Sequence, residues 1–341
     1  MTYRDFPEDQ CLPNRLRCAV VMGAYCGARY VEEQLQSIIG QTRAPDAVLV
    51  FDDASSDETY EVVSAFDRAA GSARGIDICA VRNPINLGVV GNFSLGLWRA
   101  GGELIALADQ DDRWHADKLA RQMELFEARP DLLLVHSNAQ LVDADGRQLG
   151  ATLFDALGLR PGEVDAIHAG NGFEVLVRRS VATGATIMLR RELVEDALPV
   201  GDGWLHDEWL ALIASAIGQI DVIEDCLIDY RQHGRNVVGM RVRTWRDKWA
   251  DFRMDRSEQF GREVDRLRLL DERLATFGKR VATWKLELLR ERVRHLQRRL
   301  AIGKLPHWKR LPGIWCEWRS GRYERYGTGF RSALRDLLRR G

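Results

Sequence analysis

Asp109, Asp111 and Asp112 stand directly behind the apolar run Leu104-Ile105-Ala106-Leu107-Ala108. Carboxylates this close repel one another, at growing cost when water is excluded, unless a cation lies among them. Oxygen-only ligands of this kind suit a hard divalent ion, Mg²⁺ or Mn²⁺, of the sort that bridges to substrate phosphates. The alternative is a solvated acidic turn capping a helix that starts near Ala116. These residues alone leave both readings open.

Asp52-Asp53 closes a second apolar run, VLVF. Asp53 reads either as a ligand group on the same rim or as an Asx-turn residue before Ser55-Ser56. The segment NLGVVGN, Asn86 to Asn92, follows a strand pattern and opens a helix whose N-terminus suits a phosphate or a nucleotide edge. His206-Asp207-Glu208 starts an apolar helix, where acidic residues serve as caps on the macrodipole or as a general base in a cleft. His233, in YRQHGRN, is a metal ligand or a plain loop histidine. The glycine-rich nucleotide loops and the G-x-S-x-G elbow are absent from the sequence. Nor does any recognition motif accompany the basic C-terminal part, so no nucleic-acid partner is expected.

The elements that must position these groups alternate in period. Strand patterns over 16–22, 47–51, 76–81, 103–108 and 132–136 alternate with helical patterns over 28–40, 59–70, 89–100 and 116–128. This order predicts an α/β fold with a mostly parallel sheet flanked by helices, the carboxylates sharing its C-terminal rim. Residues 151–180 are less regular. A strand-like segment at 185–189, a helix at 208–217 and two short apolar runs at 220–223 and 226–230 follow. Beyond residue 240 the pattern turns helical and Arg-rich.

A chain of 341 residues holds about two domains. Its six scattered cysteines show no metal-ligand spacing and read as free thiols of a reducing compartment. The first ten residues are polar, and the longest apolar stretch is too short to span a bilayer. A cytoplasmic, non-integral protein is expected. The net charge of −1 hides an asymmetry: residues 241–341 carry 28 Lys and Arg against 13 Asp and Glu, whereas residues 1–240 carry −16.

Taken in order, VVMGAYCGARYVEEQLQSIIGQT, VLVFDDASSDET, NPINLGVVGNF, ALADQDDRWHADKL, GATIMLRREL, HDEWL and YRQHGRN resemble the family 2 inverting glycosyltransferases of GT-A fold, especially rhamnosyltransferase-like members. The resemblance implies a Rossmann-like catalytic domain over 1–240, with a nucleotide-sugar half at 16–136 and an acceptor half at 137–240. A basic, tryptophan-containing helical region at 241–341 follows. Ala24 and Tyr25 would line the nucleoside pocket, Asp53 would accept from the base's imide N–H, and Asn86 would lie nearby. Asp109-Gln110-Asp111 would be the DxD motif, with Gln110 near the ribose and Asp111 the principal ligand of Mg²⁺ or Mn²⁺. His233 would complete the metal or diphosphate site. Asp207 would be the catalytic base, and Gly184, Ala185 and Thr186 would lie beside the acceptor. The expected reaction moves one sugar from a nucleoside-diphosphate donor, dTDP-rhamnose first and UDP-hexose second, to a saccharide or lipid-linked acceptor.

Three positions depart from the family pattern. Cys26 stands where Asn is frequent, Ala54 where Gly is usual, and His206 where Glu is common. The competing readings are a Mg²⁺-dependent phosphatase of haloacid dehalogenase type, which Arg113 disfavours, and a non-catalytic nucleotide-sugar-binding protein. For the basic region, three roles compete: docking on an anionic membrane surface, packing on the acidic catalytic part, and a homodimer contact.

Overall fold

The computed structural model describes residues 16–66, 76–233 and 257–338. Cys11, Trp245, Trp249 and the boundary expected at 240 lie outside the described residues. The first half runs β1 (Cys18–Ala24), α1 (Val31–Ile39), β2 (Ala47–Asp52), α2 (Thr59–Phe66), β3 (Asp77–Arg82), α3 (Gly88–Arg99), β4 (Leu104–Asp109), β5 (Arg113–Trp114) and α4 (Lys118–Ala128). β1, and β2 and β4 up to their terminal Asp52 and Asp109, are apolar and buried on both faces, as a parallel sheet between helix layers requires.

The second half continues with β6 (Leu132–Val142), β7 (Gln148–Thr152), β8 (Met188–Arg190), the helix α5 (His206–Ile217) and β9 (Gln219–Arg231). Short helical turns fill 153–176, the stretch whose pattern is least regular. The nine strands among the described residues form one mixed sheet in the order β3-β2-β1-β4-β8-β6-β9-β5, with β7 on β6. β1, β2, β3 and β4 pair in parallel, and β8 runs antiparallel to β4. The registers Ala24↔Asp52 and Gly23↔Asp109 bring the C-terminal ends of β1, β2 and β4 to one rim. The α/β class and its mostly parallel sheet are as the alternation predicts.

Three strand expectations need correction. The two apolar runs at 220–223 and 226–230 are one strand, β9, whose exposed Glu224 and Asp225 occupy a register shift against β6. β6 extends six residues beyond His136. The segment at 185–189 is a 3₁₀ turn, Gly184–Thr186, followed by the three-residue β8. Bonds from Thr186 N–H and Oγ1 to the Thr183 carbonyl close that turn.

The C-terminal region is helical: α6 (Ser257–Thr276), α7 (Thr283–Gly303), α8 (His307–Arg319) and two shorter helices, Arg322–Tyr326 and Phe330–Leu338. Leu267, Leu270 and Leu274 of α6 are fully buried in the same core as the sheet. Trp204 Nε1 donates to the Arg266 carbonyl, Arg273 to those of Asp196 and Leu198, and Lys285 to Ser215. So α6 and α7 pack on the part that carries the sheet. The last helices close around a separate small core of Ile302, Ile314, Tyr323 and Ala333. Among the described residues, no helix is long and apolar enough to cross a membrane.

Candidate active site

The loop after β1 is held by side chains from its neighbours. Gln110 clamps Tyr25, its Oε1 accepting from Tyr25 N–H at 2.8 Å and its Nε2 donating to Tyr25 O at 2.9 Å. A Cβ at Gly27 would lie 2.0 Å from the Gln110 amide, so this close approach requires glycine. The N–H groups of Cys26 and Gly27 donate to Ser55 Oγ and Thr59 Oγ1. Cys26 and Ala54 both have positive φ, 50° and 59°. Two of the three departures from the family pattern therefore fall where left-handed backbone favours Asn or Gly.

Asp53 is buried, and its Oδ1 accepts from Asn83 Nδ2 and Leu87 N–H, each at 2.8 Å. Asn86 donates to the Asp53 carbonyl at 3.1 Å, so the two residues expected at the base meet. Asn83 also donates to Asn92 Oδ1, and Asn92 to the Phe51 carbonyl. Sequence reasoning passed over Asn83; its signal is its place one residue past a strand, facing an Asp of the neighbouring strand end.

Across the rim, burial and the charges of Asp111 and Asp207 push the Asp109 carboxyl up to about 7. Asp112 is buried and held well above the ordinary carboxylate range by burial, Asp111 and Asp109. Its Oδ1 accepts from Arg231 N–H, while its buried Oδ2 has no hydrogen-bond partner among the described residues. Burial and the four carboxylates Asp109, Asp112, Asp111 and Asp207 hold the Tyr230 phenol well above its usual range, hence protonated. The carboxylates expected to bind metal and the expected base thus share one electrostatic environment.

His233 Nε2 lies 2.7 Å from Asp111 Oδ2, and its ring stacks on Tyr30. Among the described residues, no group of three or more His, Cys, Asp or Glu is already arranged around a metal position. The donor set nevertheless fits a divalent cation, because crowded carboxylates that resist ionisation are what such a charge relieves. Arg231, unremarked within the YRQHG run, is buried and donates from Nε to the Asp111 carbonyl and from Nη2 to Glu33.

Asp207, in the first turn of α5, accepts from Gly184 N–H at 3.0 Å and from Glu208 N–H at 2.8 Å. The residue expected as base and the segment expected beside the acceptor are therefore brought together. Ala185 and Thr186 are fully buried, and Thr186 O accepts from Gln122 Nε2, so the segment meets Asp207 through its backbone. His206 is buried and stacks on Phe93 at 4.2 Å, and burial lowers its pKa. Glu208 turns the other way and pairs with Arg266 of α6.

A family model described as Glycosyl transferase family 2 matches residues 19–197. The chain is 24% identical over 225 residues to an uncharacterized glycosyltransferase of Nostoc sp., covering 65% of this chain and 66% of that relative. It is 24% identical over 258 residues to dTDP-rhamnosyl transferase RfbG of Shigella flexneri, covering 72% of this chain and 83% of that protein. In fold it is similar to S. aureus TarS 1–349 in complex with UDP-GlcNAc, with a TM-score of 0.50, 15% identity, and coverage of 93% of this chain and 90% of that one.

Proposed function

The chain belongs to glycosyl transferase family 2, and we propose that it moves one sugar from a nucleoside-diphosphate donor to a hydroxyl of a saccharide or lipid-linked acceptor in cell-surface polysaccharide assembly. The observation that carries this reading is that Asp109, at the C-terminal end of β4, lies near enough to Asp111 and Asp207 for their charges to bear on it and on the protonated Tyr230. dTDP-rhamnose is the first donor proposed, supported by the similarity to the dTDP-rhamnosyl transferase of S. flexneri, and UDP-hexose the second.

Ala24, Tyr25, Asp53 and Asn86 hold the nucleoside, and Gln110 acts through the Tyr25 backbone it clamps. Asp109, Asp111 and His233 would hold Mg²⁺ or Mn²⁺, which when bound neutralises charge developing on the departing diphosphate. Asp207 takes the acceptor hydroxyl's proton as that oxygen attacks the anomeric carbon. The bond to the diphosphate breaks in the same step, inverting the configuration. General-base assistance of this kind contributes roughly 10²–10⁴ in rate. Gly184 N–H holds one oxygen of the Asp207 carboxylate, which supports a fixed orientation for the base.

For location we propose peripheral docking on the cytoplasmic face of an anionic membrane. Trp308, Leu311 and Trp315 form one exposed stripe of α8, opposite the buried Arg310, Ile314 and Glu317. The +15 excess of residues 241–341 complements anionic headgroups. The test of the catalytic reading is a thermal-shift screen of nucleotide sugars with Mn²⁺ or chelator, followed by transfer assays on any hit. Metal-dependent stabilisation by one donor and turnover of it are expected; no stabilisation by any donor would overturn the reading.

A further inference from the structure

Behind Asp207, on the side to which Glu208 turns, a cavity of about 370 Å³ lies between the catalytic part and the C-terminal helices. Its volume is in the range of small-ligand sites. Arg178 and Arg179 line it from the catalytic part, and Arg266, Arg292, Arg299 and Arg335 from the C-terminal helices. Against these six guanidinium groups only Glu208 and Glu263 face the cavity, so its wall is cationic. The other carboxylates that pair with wall arginines, Glu174, Glu163 and Asp336, are not on the wall.

Arg178, Arg179, Arg266, Arg292 and Arg299 each carry an ion pair, with Glu174, Glu163, Glu208, Glu263 and Asp336, but these pairs do not meet every buried donor. The buried Nε–H groups of Arg178 and Arg266 have no hydrogen-bond partner among the described residues. Burial, with the Arg266 charge beside it, holds Arg292 below the ordinary guanidinium range. Such an environment favours an added anion. Guanidinium forks match phosphate oxygens in pairs, and several forks around one space suit a multiply charged group better than a single carboxylate. Leu176, Leu212 and Leu296 add an apolar side to the same cavity.

We infer that this cavity binds the phosphate groups of a diphosphate-bearing molecule other than the sugar donor. Two sources share that chemistry: the diphosphate of a lipid-linked acceptor, and a soluble diphosphate acting as an effector. Anion binding itself does not depend on the transferase reading, but its assignment to the acceptor rests on that reading. Glu208 on the wall is the residue after Asp207 but turns to the other side of α5, so a molecule anchored here lies across that helix turn from the proposed base.

The experiment is calorimetric titration of the full chain with inorganic pyrophosphate in chelator, which removes any cation-mediated binding at the strand-end carboxylates. Saturable binding at one site is expected, weakened at least tenfold in Arg178→Gln/Arg335→Gln and unchanged in Asp111→Asn. Should the double variant fail to fold by circular dichroism, Arg335→Gln alone serves, with at least a threefold loss expected. Farnesyl diphosphate separates the sources. Affinity at least tenfold above pyrophosphate, lost in the same variants, supports the lipid-linked acceptor, and equal affinity supports the soluble diphosphate. Absence of pyrophosphate binding, or binding indifferent to the arginine variants, overturns the site and leaves a packing void. Donor stabilisation with Mn²⁺, measured in parallel on the wild type, reports on the transferase reading separately.

Discussion

The carboxylate of Asp207 accepts a hydrogen bond from the backbone N–H of Gly184 at 3.0 Å, joining the first turn of α5 to the turn before β8. The two residues are far apart in sequence, and each belongs to a different expected role. The bond fixes one carboxylate oxygen, and Glu208 N–H takes the other. A base held from two sides is pre-organised for proton removal, because its orientation costs no further ordering.

Asp207→Asn keeps an oxygen for one of these N–H groups, so the fold should persist. The expected result is a fall in kcat of about 10²–10⁴ with donor KM nearly constant, since the lost interaction is made only in the transition state. Steady-state kinetics of the variant check this. Near-normal turnover here, together with a crippled Glu208→Gln, would move the base one residue along the helix.

Asp111→Asn should abolish turnover and remove the Mn²⁺-dependent stabilisation given by the nucleoside diphosphate. A ligand at 100 times its Kd stabilises by about 2.7 kcal/mol, a shift readily seen in thermal melts. The variant should melt alike with cation or chelator. Retained metal-enhanced binding would remove Asp111 from the ligand set.

Much of this architecture is legible in the sequence because the central parallel strands β1, β2 and β4 are apolar runs and their rim carries charge. Asp109, Asp111 and Asp207 stand out as carboxylates at element ends. The two-residue β5 and the largely exposed β7 give no comparable signal, since neither carries an apolar run. Gln110 was legible as a site residue but not as a clamp, because its partners are the backbone atoms of Tyr25, which no side-chain pattern reports. Arg231 was hidden for a similar reason: it spends its donors on the Asp111 and Ala144 carbonyls and on a distant Glu33.

Ala54→Gly should stabilise the protein. The native φ of 59° costs an L-residue roughly 1–2 kcal/mol, and the greater freedom of glycine in the unfolded chain returns about 0.5–1 kcal/mol of that. A net gain of about 0.5–1 kcal/mol in denaturant unfolding is expected. Ala54→Val should lose stability at the same position. A glycine variant no more stable than the wild type would show that the left-handed backbone is unstrained.

His136 sets a pH dependence. It is fully buried in β6, neither ring nitrogen has a hydrogen-bond partner among the described residues, and burial pulls its pKa down to about 4. The unfolded value is near 6.5, so between those limits the unfolded chain binds the extra proton. Stability present above pH 6.5 is therefore lost as pH falls toward 4, by up to about 3 kcal/mol. His136→Leu keeps an apolar body against Phe154 and removes the titration. Urea unfolding at pH 7 and pH 4.5 should show a smaller drop in the variant; equal drops would exclude His136 as the cause.

Membrane docking makes the last prediction. Trp308 is 73% exposed and Trp315 64%, on a helix whose opposite face packs within the small C-terminal core. Indoles so placed insert at the headgroup level, and each basic residue near an anionic surface contributes about 1 kcal/mol. Arg298 is unsuited to charge reversal because it donates to the buried Glu317. Lys309→Glu/Arg319→Glu is cleaner, both side chains being exposed on α8. Full-length protein should co-sediment with phosphatidylglycerol vesicles at low salt. That binding should weaken as the Debye length shrinks from about 10 Å at 0.1 M toward 3 Å at 1 M. Trp308→Ser/Trp315→Ser and the charge-reversed variant should each lose most of it while melting normally. If vesicles capture nothing and the tryptophan variant instead dissociates a dimer in sedimentation velocity, the stripe is a contact between two copies of the chain.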